Sequence, residues 1–179
     1  MKNWVILFTR TGSEEKLVRT LREKLNSDEY LPFVPSKETS YRNKGVIDKV
    51  RKPLFPGYVF VKTNIDYKLI VDRLKLDLGF AKDIYSILHY GDDKKDVVLH
   101  ESERLFWEEL FDDDFCIRGS EGIIKGDTVQ IMDGALIGLE GRIKKINRHK
   151  REALVEIDMM GAKRDIVLML EIVSTSKLM

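Results

Sequence analysis

Hydrophobic and polar positions change rhythm several times along this chain. Trp4 to Phe8 is an unbroken aromatic and aliphatic run, which predicts a strand buried on both faces. Thr9-Arg10-Thr11-Gly12 leaves it, and Leu17, Val18, Leu21 and Leu25 then recur at helical spacing. Ser13 or Thr11 is placed to cap this helix, Glu14 and Glu15 sit at its positive end, and Asn26-Ser27-Asp28 ends it. Tyr30 to Val34 predicts a second strand, broken by Pro32 and Pro35. The polar stretch from Lys37 to Lys52, with a turn at Asn43-Lys44-Gly45, predicts a protruding hairpin, basic through Lys37, Arg42, Lys44, Lys49, Arg51 and Lys52. Leu54-Phe55-Pro56-Gly57 then turns sharply into a strand with Val59 and Val61 on one face and Tyr58 and Phe60 on the other. A second helix starts at Asn64 or Asp66, carries Leu69, Ile70, Arg73 and Leu74, and ends near Gly79. Residues 81–88 predict a short strand, and Glu101 to Phe111 a third helix with Leu105, Phe106 and Leu110 as its apolar side. Strand, helix and strand in alternation predict an α/β sandwich for this half.

Past Phe111 the pattern breaks. Asp112-Asp113-Asp114 and Gly119-Ser120 predict a flexible acidic linker over 112–122, with a second domain from residue 123. There Val129 and Ile131 face one way and Thr128 and Gln130 the other; Asp133-Gly134 supplies a turn, and Gly138 and Gly141 permit the close backbone passage of a small twisted barrel. Beyond Gly141 come Arg142, Lys144, Lys145, Arg148, Lys150 and Arg151, interrupted by Asn147 and His149 and by no acid. This run lies at an expected hairpin tip, between Ile143/Ile146 and the alternating Ala153, Val155 and Ile157. A charged tip on a rigid scaffold is a candidate RNA surface: lysines suit phosphates, whereas Arg148 and Asn147 suit base edges. The plainer reading is a solvated charged face.

Charge sharpens the picture only locally. The 179 residues carry a net charge of +1, with 43% hydrophobic and 34% charged positions, as in a soluble globular chain of one large domain or two small ones. Residues 123–179 hold 10 Lys+Arg against 8 Asp+Glu, so binding must work through a patch rather than a global field. Cys116 is the sole cysteine, and His89, His100 and His149 lack ligand spacing, so neither a metal nor a cofactor is expected. A phosphate loop, a nucleophile elbow and a His–carboxylate cluster are all missing, which argues against an enzyme. With no apolar run of membrane-spanning length and no signal peptide, the expected location is cytoplasmic, with no membrane partner.

The Gly126-Asp127 opening, the Asp133-Gly134 turn and Gly141 resemble a KOW motif, part of a five-stranded SH3-like β-barrel. Together with Trp4, the Phe55-Pro56-Gly57-Tyr58 turn and the order β-α-β-β-β-α-β-α before residue 112, they make nearly the whole chain resemble the NusG family of transcription elongation factors. The resemblance implies an α+β two-domain protein. A polymerase-binding domain (1–111) would sit on the clamp helices of RNA polymerase through Phe55, Pro56 and Tyr58. Arg10 and Lys16 would contact upstream or non-template DNA, and the KOW barrel (123–179) would follow. Gly134-Ala135-Leu136 stands where the family usually has Gly-Pro-Phe, and Gly161-Ala162-Lys163-Arg164 also departs from the usual pattern. The Ile146–Ala153 stretch and the Leu170-Glu171-Ile172-Val173 ending are similar instead to LoaP, the family's specialised antiterminator branch. That likeness implies a monomeric antiterminator whose barrel binds a nascent RNA hairpin through Arg142, Lys144, Lys145, Asn147, Arg148, His149, Lys150 and Arg151. The alternative is a general factor whose barrel binds protein partners, a termination factor or the ribosome.

Overall fold

A computed structural model describes residues 1–78 and 83–173. In chain order the first elements are β1 (Asn3–Phe8), α1 (Glu14–Lys24), β2 (Tyr30–Phe33), β3 (Ser36–Asn43), β4 (Val46–Pro53), β5 (Tyr58–Thr63), α2 (Ile70–Leu78), β6 (Ser86–Ile87) and α3 (Glu101–Leu110). Then come β7 (Cys116–Ile117), β8 (Ser120–Lys125), β9 (Thr128–Asp133), a 3-10 turn (Glu140–Arg142), β10 (Ile143–Asn147), β11 (Glu152–Met159) and β12 (Ala162–Ile172). They fold into two compact units, one of Met1–Pro35 with Pro53–Phe106, the other of Ser36–Lys52 with the chain from Trp107 onward. Four strands separate α1 from α2, one more than the sequence pattern predicts, because the hairpin supplies both β3 and β4.

In the first unit the sheet order is β2-β5-β1-β6. The apolar run of β1 lies between β5 and β6, and Trp4, Val5, Ile6 and Leu7 are fully buried, as a strand covered on both faces must be. Alternation sorts its side chains. Val5 and Leu7 join Val59 and Val61 of the antiparallel neighbour under the apolar stripes of α1 (Leu17, Val18, Leu21) and α2 (Ile70, Leu74). On the other face Trp4 meets Phe33 and Phe60 edge-on at ring separations of 5.6 and 6.4 Å. Burying one such aromatic contributes roughly 2–3 kcal/mol. The helix ends differ from expectation. Ser13 occupies the cap position of α1 without a side-chain hydrogen bond; the neighbouring Glu14 is turned inward instead. Asp66 forms a turn before α2, its carboxylate accepting the Lys68 N–H at 2.9 Å, and the helix proper begins at Ile70. The expected end of α2 at Gly79 and the start of the strand at residues 81–82 lie outside the described residues; of the remainder, 83–88, only Ser86–Ile87 is strand. In α3 the apolar side is centred on Trp107 and Leu110, which are buried, while Leu105 is exposed.

In the second unit β10-β11-β12-β8-β9 form a curled five-stranded sheet, with β12 and β8 parallel and the other pairs antiparallel. Its interior is the period-two set Ala153, Val155 and Ile157 with Ile166, Leu168 and Leu170. Gly134 is required here: its φ is +96°, and a Cβ would come within 2.4 Å of the Gly119 carbonyl. The turn lets Leu136 bury completely, its N–H donating to Ser120 Oγ at 2.9 Å. A three-stranded sheet, β4-β3-β7, belongs to the same unit. The segment expected to be a flexible linker therefore carries structure. Cys116 and Ile117 are buried and pair with Ser36 and Lys37, Ser120 begins β8, and Asp112 accepts N–H bonds from Asp114 and Cys116 at 2.9 Å. Sequence polarity conceals this because Asp112 satisfies backbone donors, while Asp113 and Asp114 beside it are exposed. Burial pushes the Cys116 thiol pKa up, which makes it a packing residue.

Candidate interaction surfaces

The Pro-Gly turn before β5 is anchored to the end of β1 and to the first residue of α1. Gly57 has φ +87°, and a Cβ there would approach Phe8 and the Thr9 carbonyl at 3.1 Å, so glycine is dictated by both conformation and space. Its carbonyl accepts the Thr9 N–H at 2.8 Å, and its N–H donates to the buried Glu14 carboxylate at 2.5 Å. Burial alone would raise the Glu14 pKa; N–H donors from Glu14 itself, Gly57 and Gly12 outweigh it and hold the carboxyl below its ordinary value. In the sequence Glu14 is legible only as a charge favouring the helix end; its role as the anchor of this turn is not.

That anchor presents an aromatic surface. Pro56 is exposed, Phe55 and Tyr58 are half-buried, and their rings stand 6.3 Å apart. Phe55 also stacks on Phe60 at 6.3 Å, so its inner side belongs to the core. Phe8 extends the surface, 5.3 Å from Tyr58 and 5.8 Å from Tyr85, which is 59% exposed. Sequence reasoning misses Phe8 and Tyr85. The first ends an apolar run that reads as core, and the second sits far along the chain, brought in by β1–β6 pairing and the Tyr85 N–H bond to the Phe8 carbonyl. Arg10 and Lys16 are both exposed; Lys16 is 3.4 Å from Asp83, and Arg10 has no side-chain partner among the described residues.

The eight residues of the basic run fall into two groups. Arg142, in the 3-10 turn, pairs with Asp158 at 3.2 Å. Lys144 bridges Glu156 at 2.7 Å and Asp165 at 2.8 Å, hydrogen bonds that raise its pKa and, together with Lys163, bring that of Glu156 down to about 2. The run is acid-free in sequence only; antiparallel pairing brings the acids of β11 and β12 alongside β10. The second group is the turn itself. Asn147 Oδ1 accepts the Lys150 N–H at 3.0 Å, and Arg151 adopts φ +56° and reaches Glu171 at 3.5 Å. Arg148, His149 and Lys150 are exposed there, and their side chains, like that of Lys145, have no acidic partner among the described residues. The arrangement can hold phosphate at the turn; Asn147 retains its amide N–H groups but has committed its oxygen. Among the described residues no group of three or more His, Cys, Asp and Glu could hold a metal ion, and no helix is long and apolar enough to cross a membrane.

Comparison with known proteins covers both units. A family model described as "Transcription termination factor nusG" matches residues 2–103, and a KOW motif model matches residues 125–158. The transcription termination/antitermination protein NusG of Bacillus subtilis (strain 168) is 26% identical over 179 residues, spanning 93% of this chain and 94% of that protein. The protein of the same name from Lactococcus lactis subsp. lactis is 27% identical over 168 residues, spanning 89% and 85%. A solved structure on domain interaction in Thermotoga maritima NusG aligns with a TM-score of 0.56 at 19% identity, covering 96% of this chain and 94% of that one, and shows the same fold.

Proposed function

The chain belongs to the NusG family of transcription termination and antitermination factors, and on that premise we propose that it is a specialised antiterminator of the LoaP kind, reading a hairpin in nascent RNA. Factors of this family bind RNA polymerase. Here the polymerase contact is assigned to Phe55, Pro56 and Tyr58, with Phe8 and Tyr85 widening the same aromatic surface, and DNA contact is assigned to Lys16 and to Arg10, which follows Phe8 closely in the chain. The factor makes and breaks no bond: its binding energy holds the polymerase in its elongating form. The observation that carries the RNA reading is the turn Arg148-His149-Lys150, exposed and without acidic partners among the described residues. Arg142 and Lys144, already paired, contribute to the field more weakly than the sequence implies.

A second reading has its own support. Ile137, 59% exposed, and Met132, 44% exposed, flank the Gly134 turn as apolar groups open to a protein partner, which suits a general factor. A competition experiment separates the two. The full chain is titrated with transcribed leader hairpins from its neighbouring operons against an unrelated hairpin, with and without Arg148→Ala. The specialist reading expects one leader hairpin to win and the substitution to blur that preference. If no leader RNA outcompetes the unrelated one, the turn is a solvated charged face and the general reading takes its place.

A further inference from the structure

The basic turn does not stand alone in its unit. The Ser40 hydroxyl, on β3, donates to the Lys150 carbonyl at 3.0 Å, and the Lys37 ammonium, three residues earlier, reaches the Val167 carbonyl of β12. Side-chain alternation along β3 puts Glu38, Ser40 and Arg42 on one face. The Ser40 bond ties that face to the β10–β11 turn, and Arg42, two residues on, lies about 7 Å beyond Ser40 on the same face. Lys44 follows at the hairpin turn, with φ +47°. Both cations are exposed and have no side-chain partner among the described residues.

The acids nearby are already engaged. Glu38 takes Arg118 at 3.1 Å, Lys49 at 3.7 Å and the Gly119 N–H at 2.8 Å, and Arg151 takes Glu171 at 3.5 Å. Glu152 is half-buried and acts electrostatically on Lys37. Asp48 adjoins Lys49, and because Lys49 reaches Glu38, alternation turns Asp48 to the opposite face. Arg42, Lys44, Arg148 and Lys150, with His149, are exposed and have no acidic partner among the described residues.

We propose that the β3–β4 hairpin and the β10–β11 turn form one RNA-binding surface, in which Arg42 and Lys44 hold phosphates that flank the nucleotides met by Arg148 and His149. The inference rests on the RNA reading of the turn and extends it to a hairpin distant in sequence. RNA is the occupant because planar Arg and His side chains at a tip suit the unstacked bases of a loop, while cations to one side suit its stem phosphates.

The test uses the full chain and a fluorescein-labelled RNA stem–loop with an adenosine-rich loop, beside a DNA stem–loop of the same sequence, by anisotropy from ~50 to ~200 mM salt. The Arg42→Ala/Lys44→Ala double variant is expected to bind the RNA about tenfold more weakly at low salt, and to shallow the log–log salt slope by roughly 0.7 to 0.9 for each phosphate no longer neutralised. Arg148→Ala alone should weaken binding too. Unchanged thermal midpoints confirm that these exposed substitutions leave the fold intact. If Arg148→Ala weakens binding while the hairpin double variant changes neither affinity nor slope, the joint surface is overturned and the reading of the turn survives. If the unsubstituted chain does not bind the RNA at low salt, the reading of the turn falls and takes this inference with it. Tighter binding of the DNA stem–loop overturns the assignment to RNA.

Discussion

Around Gly57 the polar backbone is tied inward, to Glu14 on one side and Thr9 on the other, and aromatic rings are held at the surface by that frame. Around Arg148–Arg151 the frame is the Asn147 side-chain bond to the Lys150 N–H, single bonds from Ser40 and Leu170 to the turn's carbonyls and one ion pair to Glu171, and what reaches the surface is charge on flexible stems. The first surface is fixed before any partner arrives, so its binding energy should come from burying rings and be insensitive to salt. On the proposed reading, the second would gain most of its energy from counterions released by bound RNA, and its affinity should fall as salt rises. On that proposal one chain carries two kinds of recognition, separable by physical signature.

The largest expected effect breaks the first frame. Glu14→Ala leaves the Gly57 N–H without its charged acceptor in a buried setting and should cost about 2–3 kcal/mol of stability, read by denaturant unfolding. A loss below about 0.5 kcal/mol would mean that the turn needs no such anchor. Next, Tyr58→Ala should weaken polymerase binding by about 2 kcal/mol while leaving most of the fold's stability, because the ring is only half-buried. If the variant melts early yet binds normally, Tyr58 serves the core.

Acid should sharpen the contrast at the second unit. Glu38 and Asp112 would be raised by burial, but N–H donors and Arg118 hold both below the ordinary range, with Lys49 also acting on Glu38. A depressed carboxylate contributes stability that is full above its unfolded pKa, near 4, and is lost as pH falls through the folded value. Unfolding followed between about pH 5 and pH 2 should therefore show progressive loss in this unit, and a carboxyl titration should find Glu156 protonating at a pH of about 2. A Glu156 midpoint at the ordinary carboxylate value would dissolve the Lys144–Glu156–Lys163 cluster. The smallest effect is on the fold itself: Arg148→Ala should change stability by less than about 0.5 kcal/mol, since the side chain is exposed and unpaired among the described residues.

How much of this is legible in the sequence depends on the range of the interaction. β1, α1, β5 and the barrel strands β9, β10 and β11 follow from local periodicity, whereas the start of β8 reads as linker; the expected alternation of Val59 and Val61 against Phe60 matches the observed packing. Gly57 and Gly134 read as turn glycines from their neighbours, and both have positive φ. The misses are long-range. The acids that neutralise Arg142 and Lys144 are Asp158, Glu156 and Asp165, far downstream, and they arrive only through strand pairing. Tyr85 reaches the aromatic surface through a two-residue strand, and β7 is equally short, too brief to leave a pattern. The hairpin at 36–52 is recognisable as an element, but its place beside the β10–β11 turn depends on single bonds such as Ser40 to Lys150, which no periodicity encodes.

The central claim, that the two surfaces work by different physics, is tested by one paired measurement: the affinity of the full chain for RNA polymerase and for a leader RNA hairpin, each followed across the same salt series. The account predicts RNA affinity falling linearly on a log–log plot, with a slope that shallows in Arg148→Ala, while polymerase affinity stays nearly level and drops only in Tyr58→Ala. Equal salt slopes for both partners, or a polymerase affinity that follows Arg148 rather than Tyr58, would contradict it.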